Sequence, residues 1–469
     1  MTPRASISWR PSWADPSAFQ PFHIGSLLSC EQPCPQGWKD LELGLRRAAF
    51  RLREMSIREI VAAIDAVAQL WCDRDWPLRV QARERAAQAT GFSEQAVDRS
   101  FDVELRNYRA DSLWRTLNRE LGDPRVLDGF RGNQPLDGLA HAIGPEITGA
   151  IFTGNVPGLP ALSIVRALLV KSAVIAKVAS GEPTFAALFA QSLHAADARL
   201  GDAIVVTYWD REDTASRDAL FACVDALIAY GGEDACAAIR AALPPGLRYV
   251  EHGHKFSAGI VSEPYVNEHG LDKVAERIAA DVSLFNQQAC IAPQAYLIVG
   301  SEELSRDLGR GVAHALAQYA EGCPLGTLDL QDAASLQLRR ADAAWRASTS
   351  PESEVWVGES LDWTVSLSST LGAEGGGNRF LRLVSTPTIQ SALDVLRPIG
   401  PHLQNVGLGV AEPELTTVAL ELARLGACRI SAPGRMAEPS LMWKHDGHSC
   451  VAELVRWCDI EMYAEPADR

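Results

Sequence analysis

No run in the 469-residue sequence approaches the roughly 18 apolar residues of a membrane-spanning helix. The opening stretch MTPRASISWRPSWADPSAF also holds no apolar segment of signal-peptide length. Positive charge is in deficit, with 44 Lys+Arg against 59 Asp+Glu and a formal net charge of −15, which argues against a broad nucleic-acid surface. Ten cysteines at irregular spacing make neither a dense disulfide framework nor a paired zinc motif, and only Cys30 and Cys34 are close. These absences lead us to expect a cytoplasmic protein with reduced thiols and no membrane span. Two phosphate-binding signatures are missing as well. There is no G-x-x-x-x-G-K-[ST] loop, and no G-x-G-x-x-G follows the first strand of the alternating region. Any dinucleotide has to be held by another device.

What is present is an ordinary globular composition, 47% hydrophobic and 22% charged with 36 Gly and 26 Pro, enough for about two or three domains. From about Leu41 to Leu121, apolar residues recur three and four apart among Arg and Glu, which predicts a helical N-terminal layer. Between Gly149 and Ser262, the short apolar runs GAIFTG, SAVIAKV, AIVVTYW and ALIAYG alternate with amphipathic segments. Strand alternating with helix predicts an α/β fold built on a doubly wound parallel sheet. A helix over 271–285 comes next, then a loop carrying Cys290, then the strand QAYLIVG. Residues 302–346 read as helical, and 347–378 as a Pro/Ser/Gly-rich stretch with short strands around Val355 and Trp363. The last ninety or so residues return to strand and helix through FLRLVS, TIQSALDVLRPI, QNVGLGV, ELTTVALELARLG and CRIS.

Several residues could carry chemistry. Asn155, in TGNVPGLP, falls at a strand's carboxyl end, where open α/β sheets bind ligands, and it reads equally as a plain turn residue. Cys290 is either a nucleophile or a buried small hydrophobe. Glu251, in YVEHGHKF, is either a base or a solvated loop residue. His252 with His254, and His445 with His448, are spaced as pairs that lack a convincing third metal ligand, so turn or supporting roles are preferred and no metal is expected.

Taken in order, GNVPGLP (154–160), ALLVKSAVIAKVASGEPT (167–184), YGGED (230–234), EHGHKFSAGIV (251–261), FNQQACIAPQ (285–294), HLQNVG (402–407) and PSLMWKHDGH (439–448) resemble the aldehyde dehydrogenase superfamily. More narrowly, they resemble its LuxC-type acyl-CoA reductases. The resemblance covers about residues 130–465. It implies an aldehyde-dehydrogenase-like fold with a helical N-terminal region at 1–125, a dinucleotide-binding domain at 126–255 completed by 430–469, and a catalytic domain at 256–429. It also implies that Cys290 is the nucleophile, Asn155 the oxyanion donor and Glu251 the general base, in a turn reading EHGHK where the superfamily has ELGGK. Lys177 then matches the lysine at the adenosine ribose. Ser180 replaces the ribose-binding glutamate of NAD enzymes, and Gly231 and Gly232 match the turn beside the pyrophosphate.

The implied reaction is NADPH-dependent reduction of an acyl thioester, from acyl-CoA or an acyl-carrier protein, to an aldehyde through an acyl-cysteine, with NADH as the other possible donor. An acyl-transferase or synthetase partner and a homo-oligomer are expected with it. The alternatives are an aldehyde dehydrogenase running oxidatively, with Glu251 activating water, and a non-catalytic scaffold of a multienzyme assembly.

Overall fold

The structure, a computed structural model, describes residues 5–24, 28–133, 138–372 and 376–461. Residues 373–375 of the Pro/Ser/Gly-rich stretch and 462–469 of the tail expected to complete the cofactor domain lie outside the described residues. The chain divides into two units. Unit one is Met1–Arg85, Phe101–Gly253 and Ser440–Arg469; unit two is Ala86–Ser100 and His254–Pro439.

Unit one is built on a five-stranded parallel sheet of β1 (Ile147–Ile151), β2 (Ala173–Lys177), β3 (Ile204–Thr207), β4 (Ala226–Tyr230) and β5 (Arg248–His252), in the order β5-β4-β1-β2-β3. The central strands are buried on both faces, so they read as continuous apolar runs rather than alternating ones. Helices Gly37–Glu54, Ile57–Cys72, Pro160–Leu169 and Phe185–Ala196 supply apolar stripes to this unit. Ile57–Cys72 starts where Ser56 and Glu59 cap each other reciprocally.

Two small sheets went unread in the sequence. Phe19–Ile24 pairs antiparallel with Leu28–Pro33. Arg456–Glu461 pairs antiparallel with Gly138–Ile143, leaving Trp457 and Ile460 exposed.

Unit two holds a seven-stranded sheet: β6 (Phe256–Ser262), β7 (Ala295–Val299), β8 (Glu354–Val357), β9 (Thr364–Ser368), β10 (Phe380–Thr386), β11 (Leu403–Gly409) and β12 (Arg429–Ser431), ordered β8-β9-β10-β7-β6-β11-β12. All neighbours are parallel except β8 with β9. Helices Leu271–Ser283 and Glu302–Gly322 pack on one face through Val274, Ile278, Val282, Leu308 and Val312. The segment leading out of β12 is pinned by buried Asp281, which accepts from Gly434 N–H at 2.7 Å, Met436 N–H at 2.8 Å and Tyr296 O–H at 2.7 Å. The predicted helix over 271–285 stops at Ser283, because Phe285 turns left-handed at φ 54°.

Candidate active site

The carboxyl ends of β1, β2, β4 and β5 gather most of the predicted residues of unit one. Asn155 lies in the turn after β1, where its Oδ1 accepts from the Thr153 hydroxyl. That contact orients the amide so that Nδ2 is its donating end. The turn is tight against its neighbour: a Cβ on Gly154 would come within 2.7 Å of Gly181 Cα and Glu182 N, so only glycine fits.

Lys177 ends β2, and its ammonium lies 5.2 Å from the ring centroid of Tyr208, with burial lowering its pKa and Asp210 opposing that shift. Tyr208 O–H donates to Asp210 Oδ1 at 2.8 Å, and burial followed by this carboxylate pushes the phenol up to about 12. Ser180 is exposed and its side chain hydrogen-bonds the same phenol. Lys177 and Ser180 are therefore brought together around a residue pair, Tyr208 and Asp210, that sequence reasoning did not single out.

Gly231 donates its N–H to His252 O at 3.1 Å, and Gly232 is the N-cap of helix Glu233–Ala242. Open space surrounds Gly232, as close approach of a ligand to the backbone requires. The first turn of that helix carries Glu233 and Asp234, which already meet its positive dipole end. Glu251, on edge strand β5, faces away from Val250 and His252 and is held by Arg240, whose Nη2 lies 2.6 and 2.5 Å from its two oxygens.

His252 and His254 fall in different units, so their spacing is not a ligand pair. His252 instead joins His445 and Asp446, the one group among the described residues whose atoms could converge on a metal ion. The chemistry of the set disfavours one. His252 Nε2 already faces the Arg166 guanidinium at 3.3 Å, and Nδ1 faces Asp446 Oδ2 at 2.8 Å. Tyr230, His252, His445 and Trp443 stack in succession with centroids 4.6, 4.2 and 4.6 Å apart. The W-K-H-D-G-H motif is thus a hairpin turn docked on the ends of β4 and β5, with Asp446 and Gly447 both at positive φ as such turns require.

Sequence reading also missed Glu104, whose buried carboxyl is pushed up to about 7 by desolvation. It lies beside the Asn155 turn: a Cβ on Gly158 would be 3.3 Å from Glu104 Cβ. The signal available was one carboxylate on a helix face otherwise buried through Phe101 and Leu105.

In unit two, Cys290 is half-buried between helix Leu271–Ser283 and β7. Its own carbonyl and that of the next residue are fastened. Ser257 Oγ donates to Cys290 O at 2.6 Å, and fully buried Asn405, of the HLQNVG segment, donates through Nδ2 to Ile291 O at 2.9 Å. A fixed loop presenting a partly accessible thiol is what a nucleophile needs.

Comparison with known proteins adds the lineage. A family described as Acyl-CoA reductase (LuxC) matches residues 52–457. A long-chain acyl-protein thioester reductase of Aliivibrio fischeri is 25% identical over 421 residues, 87% of this chain and 83% of that protein. A long-chain acyl-protein thioester reductase 2 of Photobacterium leiognathi is 25% identical over 320 residues, 67% of this chain and 64% of that protein. The chain therefore spans just under two thirds of the second relative. Among solved structures, aldehyde dehydrogenase 21 of Physcomitrella patens superposes with a TM-score of 0.76 at 14% identity, covering 98% of this chain and 99% of its own. Aldehyde dehydrogenase C of Pseudomonas syringae, solved with NAD+ and octanal, gives 0.71 at 14% identity, covering 99% and 100%. The fold is that of the aldehyde dehydrogenases. No helix among the described residues is long and apolar enough to cross a membrane.

Proposed function

The chain belongs to the LuxC acyl-CoA reductase family, and from that premise we propose that it reduces an acyl thioester to an aldehyde through an acyl-cysteine on Cys290, with NADPH as the hydride donor and NADH as the second candidate. The observation that carries the reading is the half-buried thiol of Cys290 on a loop whose carbonyls are tied to Ser257 and Asn405. The thiolate attacks the thioester carbonyl, a C–S bond forms, and the carrier thiol leaves with a proton. Asn155 donates its side-chain amide to the oxyanion of that step. The bound cofactor supplies the hydride that turns the acyl-cysteine into a thiohemiacetal, whose collapse releases aldehyde and restores the thiol.

For the cofactor itself, Lys177 with Tyr208 offers a cation and a ring face at the end of β2. Gly232 offers a helix N-terminus. The Glu251–Arg240 ion pair supports reduction over hydrolysis, because a carboxylate with both oxygens engaged by a guanidinium has to leave that partner before it can meet a water. Following the relatives' names, the acyl group is long-chain and presented on a protein, with coenzyme A as the second carrier and an acyl-transferase or synthetase as the enzyme that loads it. The exposed strand Arg456–Glu461 is the surface on which a homo-oligomer is proposed, since an edge unpaired among the described residues, with Trp457 and Ile460 exposed, invites a second chain. Ten cysteines with no disulfide among the described residues fit a cytoplasmic setting.

The test is aldehyde formation from acyl-CoA and acyl-carrier protein of several chain lengths, with each reduced cofactor, in wild type and Cys290→Ala. Aldehyde from wild type alone supports the reading. Full activity in Cys290→Ala, or oxidation of aldehydes with no thioester turnover, removes it.

A further inference from the structure

Five of the seven non-glycine residues with left-handed backbone among the described residues fall in two stretches of unit two. Phe285, Asn286 and Gln287 have φ of 54°, 51° and 62°, and Asn378 and Arg379 have 56° and 54°. Such conformations crowd a Cβ, and they persist only where the surroundings over-determine them. Here each stretch holds the other. Asn378 N–H donates to Asn286 O at 3.0 Å, and Arg379 donates through Nε and Nη2 to Asn286 Oδ1 at 3.1 and 2.7 Å. Gln288 Nε2 donates to Asn378 Oδ1 at 2.7 Å, and Gly377 N–H donates to Gln287 Oε1 at 3.2 Å.

Arg379 is fully buried. Its Nη1 donates to Cys323 O at 2.9 Å and its guanidinium lies 5.2 Å from the Tyr319 ring centroid, so a charge removed from water is satisfied on every side. Asn286 spends its other amide end on Leu325 O at 2.9 Å. Cys290 follows directly in the sequence FNQQAC. A simple link from helix to strand would place glycine at left-handed positions. This one keeps side chains there, and those of Asn286, Gln287, Asn378 and Arg379 are committed to fixing the loop.

We propose that Arg379 and Asn286 are positioning residues for Cys290: their clamp holds the left-handed turn that aims the thiol, and so sets its reactivity toward the thioester. The proposal rests on the reading of Cys290 as the acylated residue. The measurement is the rate and pH profile of Cys290 alkylation by iodoacetamide, read on the Cys290 peptide by mass spectrometry, beside the acylation burst with acyl-CoA. Asn286→Gly leaves the left-handed backbone available while removing the acceptor for Arg379.

Both rates are expected to fall by about tenfold or more, with NADPH affinity measured by fluorescence unchanged. Asn286→Asp, which keeps an acceptor oxygen, is expected to recover most of the loss. Wild-type alkylation rate and pH profile in folded Asn286→Gly overturn the proposal. If that variant does not fold, Gln288→Ala, at a half-buried position, cuts the link to Asn378 and is expected to slow the same two rates; wild-type rates there overturn the proposal equally. Thioester reduction retained in Cys290→Ala would remove the parent reading, whereas the alkylation rates judge the clamp independently of turnover.

Discussion

Asp446 Oδ2 accepts the Nδ1–H of His252 at 2.8 Å, joining residues 194 positions apart in the chain. The tautomer follows from the other nitrogen, because Arg166 can only donate and faces Nε2 at 3.3 Å. His252 is thus neutral in the folded protein. Burial lowers its pKa and lowers that of His445 further. Below the ordinary histidine value of about 6.5, the unfolded chain binds more protons than the folded one, so the stability these residues contribute is complete above that value and is lost as pH falls. We expect the Tm of wild type to drop between about pH 7.5 and about pH 5 more steeply than that of a His252→Asn, His445→Asn double variant. Equal slopes in the two proteins would show that the pair does not carry this dependence.

Glu104 has the opposite sign. Its carboxyl titrates at about 7 in the folded state because it is buried. In the unfolded chain it ionises above about 4.3, so its contribution to stability declines as pH rises between those two values and is flat beyond them. Glu104→Gln should remove that decline and gain up to about 3 kcal/mol at neutral pH. Denaturant midpoints at acid and neutral pH check this; a variant destabilised more at neutral than at acid pH would show the carboxyl to be satisfied as an anion.

Asn155 separates chemistry from architecture in unit one. With Oδ1 engaged by Thr153, loss of the amide removes the donating end without emptying a core position, since the residue is exposed. Asn155→Ala is expected to lower turnover by about a hundredfold or more, with little change in Tm or in cofactor affinity. A fall in Tm at unchanged turnover would restore the turn-residue reading.

How far these residues were legible depends on what the sequence pattern encodes. The central parallel strands were readable because they are buried on both faces and so form unbroken apolar runs, as in Ala226–Tyr230. Cys290 was placed between a helix and a strand for the same reason. The left-handed turn before it was not readable, because Phe285 continues the apolar face of helix 271–283 and periodicity reports faces rather than the sign of φ. His252 and Asp446 meet because a turn far along the chain docks on the ends of β4 and β5, and Lys177 and Asp210 lie near one another through strand order in a sheet; local spacing contains neither. The strand Arg456–Glu461 was missed because it is exposed along its whole length and shows no alternation.

Glu251 is expected to act on water more than on acyl transfer. Its carboxylate is one-quarter exposed and held by Arg240 at 2.5 Å, and forming an acyl-cysteine from a thioester needs no water. Glu251→Gln should therefore suppress slow thioester hydrolysis by more than it slows the acylation burst. Arg240→Gln, which frees the carboxylate, should raise hydrolysis. Equal changes in burst and hydrolysis in both variants would assign the ion pair a structural role only.

The choice of cofactor turns on the charges around Lys177. The resemblance to the aldehyde dehydrogenases implies that Ser180 stands where their NAD enzymes carry a glutamate, and we propose that its hydroxyl removes one repulsion toward a 2′-phosphate. The Asp210 carboxylate remains close enough to raise the Lys177 pKa against burial and accepts the Tyr208 hydroxyl at 2.8 Å. Part of the cation's field is therefore already spent on a neighbour. NADPH is expected to bind more tightly than NADH in wild type, because a doubly charged phosphate gains more from the ammonium than a ribose hydroxyl does. Ser180→Glu should reverse that order by reinstating the repulsion. Asp210→Asn should strengthen NADPH binding by several-fold while leaving NADH nearly unchanged, since only the 2′-phosphate feels the lost charge. Dissociation constants from nicotinamide fluorescence, taken without substrate, decide the matter; wild-type preference for NADH, with Asp210→Asn shifting it toward NADPH, would transfer control of the pocket from residue 180 to Asp210.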